Sequence, residues 1–348
     1  MGCRRQNIFK RVATDMREYL PERAEHGGRV RWHRSREMRD EILDFSANMN
    51  PYPPDIHWTP DLSALKDYPD DRYEVLKEVI AGTFGRDAAE VTVGNGSVEL
   101  IRAFCCAMLR PGDAACIEMP TFAEYGVAVR LAGGRCVTGD DSATVRFLCN
   151  PNNPTGTLFS RAEVFRVLDA VAGRGGYLFL DEAFIELADP RQSLVDLPHE
   201  NLFVLRSLTK SFAVPGIRFG YGFGSPELID RIERVRLPWT VNTFAESFAI
   251  EAFRHYDRLE ESRKRIAEER AWLSGRLEDL GLVCVPPSAN YILVGIPLES
   301  GVLSERLLSR GILVRDCRSF GLPRHIRVAV RTREENRQLI EALEACLH

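Results

Sequence analysis

Residues 205–221 read LRSLTKSFAVPGIRFGY, and the single lysine in that run, Lys210, decides how the rest of the chain is read. Lys210 stands just past an apolar, strand-like run, among side chains that are mostly apolar or hydroxyl-bearing. Burial there disfavours the charged ammonium and frees the amine to attack a carbonyl. Ser207 precedes Lys210 by three residues and Arg218 follows it by eight. A hydroxyl and a guanidinium that converge on one point are the chemistry of a phosphate anchor. Taken alone, the stretch reads equally well as a structural turn.

Three further stretches share its character. YLFLDE at 177–182 closes an apolar strand with Asp181, a carboxylate that is costly to bury without a cation or a strong donor. Its bland alternative is a solvated loop start. NPNNPTG at 150–156 is a Pro/Asn/Gly turn after another strand, and it offers Asn153 as an amide donor. GNGSV at 94–98 opens a helix, where free N–H groups and the helix dipole favour a phosphate.

Around these motifs, short apolar runs alternate with helix-period segments. Strands are expected at 91–93, 114–118, 145–149, 177–180 and 202–206, and helices at 97–109, 122–131 and 160–171. Strands of this length separated by helices make βαβ units, hence a mostly parallel sheet covered on both faces, with chemistry at the carboxyl ends of its strands. One long charged helix is expected over 244–280. Beyond it, strands at 283–285, 291–294, 312–315 and 326–330, with helices at 302–309 and 333–346, suit a smaller α+β lobe. The expected division is an N-terminal arm and joining segment at 1–67, a large domain at 68–240, a connecting helix at 241–280 and a small domain at 281–348.

The 348 residues carry a net charge of −4, which suggests neither a nucleic-acid partner nor an acidic tail. The first 40 residues are locally basic, with eleven Lys/Arg against six Asp/Glu, and read first as a solvated surface. Nine cysteines without a CxxC pair suggest reduced thiols, a cytoplasmic setting and no structural metal. No apolar run approaches the ~20 residues of a spanning helix, so no membrane partner is expected.

In order and wording, the four motifs resemble those of the fold-type I pyridoxal-phosphate (PLP) enzymes, and within them the histidinol-phosphate aminotransferase-like branch. The resemblance runs from His26 to Arg331. It implies a large domain with a mostly parallel seven-stranded sheet between helices, a smaller α+β domain, and PLP as cofactor. Lys210 is then the Schiff-base lysine, Asp181 the partner of the pyridinium nitrogen and Asn153 the donor to the ring O3′. Ser207, Arg218, Gly96, Ser97 and Val98 hold the cofactor phosphate, and Tyr125, in PTFAEYG at 120–126, stacks on the ring. Tyr68, in YPD, is expected to reach the cofactor phosphate of a second subunit, which implies a homodimer with shared active sites.

Several segments resemble the L-threonine O-3-phosphate decarboxylases of cobalamin biosynthesis. These are HGG at 26–28, LDFSANMNP at 43–51, FAEYG at 122–126, DEAF at 181–184, LRSLTK at 205–210, PWTVN at 238–242 and IRVAVR at 326–331. Aminotransferases of the branch usually carry tyrosine at position 184, and Phe184 has no hydroxyl to offer the ring oxygen. This likeness implies a phosphorylated amino-acid substrate anchored by His26, Asn48, Arg327 and Arg331, with loss of CO2 to give (R)-1-aminopropan-2-yl phosphate. Histidinol-phosphate aminotransfer is the alternative on the same scaffold. Arg29 departs from the pattern that follows HGG. The stretch 137–145 also looks too short for the strand–helix excursion usual there.

Overall fold

The computed structural model describes residues 20–37 and 41–347, so residues 1–19 of the basic arm lie outside the described part. Strand β1 (Leu43–Asp44) is followed by the seven strands of the main sheet: β2 (Val91–Gly94), β3 (Ala114–Ile117), β4 (Arg135–Val137), β5 (Val145–Cys149), β6 (Tyr177–Asp181), β7 (Leu202–Arg206) and β8 (Gly220–Phe223). Their order is β2-β8-β7-β6-β5-β3-β4. Only β8 runs against its neighbours, because the chain returns from β7 through a short loop rather than a crossover helix.

β6 and β7 are near-continuous apolar runs because both faces of the sheet are covered. Leu178, Leu180, Leu202 and Val204 pack on one face, with Leu76, Ile80 and Leu168 of the flanking helices. Phe179, Phe203 and Leu205 point to the other, against Phe104 and Phe147. Each such side chain contributes about 1.5–3 kcal/mol by leaving water, so the carboxyl ends of these strands form a rigid platform.

The C-terminal part has β9 (Val283–Cys284), β10 (Tyr291–Gly295), β11 (Ile312–Leu313), β12 (Arg315–Asp316) and β13 (His325–Ala329). Four of them form an antiparallel sheet, β12-β13-β10-β9, while β11 pairs in parallel with β1. The N-terminal segment is thereby tied to the C-terminal sheet. The run expected as one strand at 312–315 is split between two sheets.

Two other expectations are corrected. The long helix over 244–280 is two helices, Thr243–Arg254 and Leu259–Asp279, broken by a 3-10 turn at Tyr256–Arg258. The break turns the Tyr256 hydroxyl onto the buried Glu186 carboxylate, 2.5 Å away. Strand β8, GYGF, was not foreseen, because its glycines read as turn residues. The shortness of 137–145 has its counterpart here: β4 leads to β5 with no helix between them.

Candidate active site

The carboxyl ends of β2, β5, β6 and β7 open on one cavity of about 490 Å³, roofed by β12, β13 and the segment around residues 25–28. Lys210 lies in the one-turn helix Leu208–Ser211 that follows β7. Burial first, then the fields of Arg327 and Arg218, lower its pKa to about 8, against the pull of Asp181. A larger fraction of the amine than in an ordinary lysine is therefore unprotonated near neutral pH.

Asp181, the last residue of β6, accepts from Tyr125 Oη at 2.6 Å and from Ala183 N at 2.9 Å. Burial pushes its carboxyl upward in pKa, opposed by these two donors and by Lys210. Asn153 and Ser207 also line the cavity, and Asn153 Oδ1 accepts from Arg327 Nη1, which leaves the amide nitrogen for a ligand. Ser207 Oγ lies 2.8 Å from Thr209 Oγ1.

Gly96, Ser97 and Val98 begin the helix Ser97–Met108 and face Arg218. Gly96 sits at φ 77°, ψ 160°, a region essentially reserved for glycine, and a Cβ there would stand 2.4 Å from Arg218 Nη2. Four backbone and side-chain groups, one lysine and one buried carboxylate thus surround a space with an anion cradle at one end and an acid at the other.

At the opposite end, Arg315 and Arg327 face each other across the β12–β13 register. Arg327 donates to Asn153 Oδ1 and to Ser46 O, and Arg315 donates to Glu25 O and Ser319 Oγ. Among the described residues neither forms an ion pair. Burial lowers the pKa of Arg327 to about 10 and moves that of Arg315 in the same direction. Arg327 Nε, Arg331 Nε and Asn48 Oδ1 are buried without a hydrogen-bond partner. Arg331 Nη1 donates to Asp44 O, and Arg331 Nη2 is paired with Glu335. His26 lines the same end.

The profile of the family described as Aminotransferase class I and II matches residues 40–146 and 139–343. The chain belongs to that family. It is similar to a protein of Caldanaerobacter subterraneus subsp. tengcongensis, provisionally named a threonine-phosphate decarboxylase, with 36% identity over 92% of this chain and 93% of that one. It is also similar to histidinol-phosphate aminotransferase 2 of Archaeoglobus fulgidus, with 34% identity over 87% of this chain and 92% of that one. Among solved structures, the histidinol-phosphate aminotransferase of Sinorhizobium meliloti in complex with pyridoxal-5'-phosphate superposes with a TM-score of 0.81 at 23% identity. That alignment covers 94% of this chain and 95% of the other.

The chain is a PLP-dependent enzyme of the class I and II aminotransferase family with the fold-type I architecture. The residues present fit the cofactor. Asp181 is a buried acid that a pyridinium would neutralise, and the Gly96–Val98 helix start with Arg218 and Ser207 forms a phosphate cradle. Lys210 is the amine between them.

The structure corrects the role expected of Tyr125. Its ring is fully buried, stacked on Phe147 at 5.0 Å, and does not line the cavity. The aromatic of the same motif that faces the cavity is Phe122. Tyr125 acts from behind, through its hydroxyl on Asp181. Tyr68 also lies away from its own chain's cavity, 79% exposed and stacked on Trp239 at 4.6 Å. Two groups escaped the sequence reading: Arg315 and Glu124, the latter 2.8 Å from His26. Arg315 stands in no motif, and Glu124, although inside PTFAEYG, is marked out only by its contact with His26.

Proposed function

We propose that this chain is a PLP-dependent decarboxylase of L-threonine O-3-phosphate that releases CO2 and (R)-1-aminopropan-2-yl phosphate, the reaction used in cobalamin biosynthesis. The observation that carries the substrate class is the second anion site. Arg315 and Arg327 stand side by side without an acidic partner, next to His26, Asn48 and Arg331, and the donors Arg327 Nε and Arg331 Nε are buried without an acceptor. Buried cations of this kind call for an anion, and the cofactor phosphate is accounted for at the other end.

When bound, PLP supplies an electron sink for the charge left at Cα as a bond breaks there. The chain's residues decide which bond that is. His26, Asn48, Arg327 and Arg331 would anchor the substrate phosphate, which leaves the substrate carboxylate less tightly held. Asn153 would hold the ring oxygen without help from residue 184, because Phe184 packs edge-on to Tyr291 at 5.0 Å and carries no donor. The Tyr291 hydroxyl is committed to Asn152 O at 2.9 Å. Lys210, whose pKa burial lowers to about 8, is the amine that would hold the cofactor.

Histidinol-phosphate aminotransfer is the second reading, favoured by the aminotransferase relatives and compatible with the same anion site. Supplying the holoenzyme with each substrate separates the two. CO2 from phosphothreonine in the absence of 2-oxoglutarate supports the decarboxylase. Glutamate formed only from histidinol phosphate and 2-oxoglutarate overturns it.

The active form is proposed to be a homodimer. Leu62, Leu65, Tyr68, Leu237 and Trp239 are large exposed apolar side chains of the kind a second subunit would cover. A monomer of full activity at all concentrations contradicts that assembly.

A further inference from the structure

Glu124 opens the helix Glu124–Leu131, and its side chain is 7% exposed. The free N–H groups of a first helical turn favour a carboxylate, yet a buried one still requires a donor. That donor is His26, whose Nε2 lies 2.8 Å from Glu124 Oε1. Arg102, on the helix Ser97–Met108, approaches the other oxygen only to 3.5 Å, and that oxygen has no hydrogen-bond partner. The imidazole rests beside Phe122, with ring centroids 5.8 Å apart, at the rim of the cavity.

The segment that carries His26 is pinned from both sides. Gly28 N donates to Ser46 Oγ at 2.8 Å, and Arg315 Nη2 donates to Glu25 O at 2.8 Å. A Cβ on Gly27 would stand 2.3 Å from Ser46 O, so the backbones are in direct contact. The backbone is therefore fixed, and the bond to Glu124 removes the remaining freedom of the ring.

We propose that Glu124 is a positioning residue that sets His26 as the donor to the substrate's phosphate. This rests on the reading of the second anion site given above. A carboxylate only accepts, so Nε2 must carry a proton and Nδ1 is the ring nitrogen left for a ligand. A ring that carries a proton on both nitrogens donates from Nε2 to Glu124 and from Nδ1 to a phosphate. The other charged groups at this end are Arg102 behind Glu124, Glu25 on the same segment, and Asp44, Arg315, Arg327 and Arg331 across the cavity. Glu124 itself does not line the cavity, so it acts through His26 alone.

The test uses PLP holoenzyme and two ligands that have no carboxylate to lose: (R)-1-aminopropan-2-yl phosphate and 1-aminopropan-2-ol. Their affinities are read from the cofactor absorbance at equilibrium. Glu124→Ala is expected to weaken the phosphorylated ligand about 10-fold, the cost of one charge-assisted hydrogen bond at a half-exposed site. The alcohol should change less than about twofold. Glu124→Gln, which keeps the shape, should lie between. In a His26→Ala background the effect of Glu124→Ala should vanish, and the ring 15N shifts of His26 should move in Glu124→Gln. An equal loss for both ligands, or the same loss without His26, overturns the inference. So does a phosphate preference that survives Glu124→Ala intact, while the substrate reading then stands. A wild-type protein with no preference for the phosphorylated ligand overturns that reading and the inference with it.

Discussion

Replacing Gly96 by alanine should separate the cofactor cradle from the rest of the fold. Gly96 has φ 77° and ψ 160°, where a residue with a Cβ is strained by about 1–3 kcal/mol. The new Cβ would also stand 2.4 Å from Arg218 Nη2. The guanidinium is the far end of a flexible side chain, so it moves aside rather than unfolding the helix start, and leaves the phosphate. One lost hydrogen bond between charged groups is worth about 1.5–3 kcal/mol, which corresponds to a roughly 10- to 150-fold weaker Kd for PLP. The strain lowers Tm by about 1–4 °C at the unfolding entropy of a chain this size. The assay is titration of the apoenzyme with PLP, followed by absorbance, beside calorimetry. Gly82→Ala is the control, since nothing lies within 4 Å of its Cβ position and it sits in the helix Glu74–Phe84. That variant should be unchanged or slightly more stable. If Gly96→Ala binds PLP within about twofold of wild type at an unchanged Tm, the cradle is not where this account puts it.

Other expectations follow from the buried charges and from position 184. Arg206 is buried between Glu182 and Glu186, and Arg206→Met leaves both carboxylates uncompensated, so stability should fall by about 3–5 kcal/mol in denaturant titration. A loss below about 1 kcal/mol would show that the carboxylates bind protons at little cost. The rate at which Lys210 captures added PLP, fixed by borohydride, should rise with pH and level off above about 8, since only the neutral amine attacks. A profile still climbing at the ordinary lysine pKa contradicts the burial argument. Phe184→Tyr puts a hydroxyl where the ring oxygen is held and should raise transamination relative to CO2 release, read as the ratio of the two products. No change in that ratio removes Phe184 from the choice of reaction.

Much of this site is legible in the sequence because its groups are carried by local signals. The apolar runs that end in Asp181 and Ser207 announce buried strands, and turn residues at 94–98 and 150–156 mark the loops at their ends. What escaped depends on contacts between distant parts of the chain. Glu124 and His26 are 98 residues apart, and Arg315 gains meaning only from its register with Arg327. Within PTFAEYG both aromatics fit a stacking role, and only burial assigns Phe122 to the cavity and Tyr125 to the back of Asp181. The break at Tyr256 is equally non-local, since the helical pattern runs straight through it and a buried carboxylate 70 residues away decides. Strand β8 is set by its two neighbours in the sheet rather than by its own glycine-rich residues.

The central claim is best tested with carboxyl-labelled L-threonine O-3-phosphate, given to the PLP-loaded protein without any keto acid, beside Lys210→Ala. The account predicts labelled CO2 and (R)-1-aminopropan-2-yl phosphate in equal amounts, no stimulation by 2-oxoglutarate, and nothing from the variant. Retention of the label, with the amino group passed to 2-oxoglutarate instead, would contradict it.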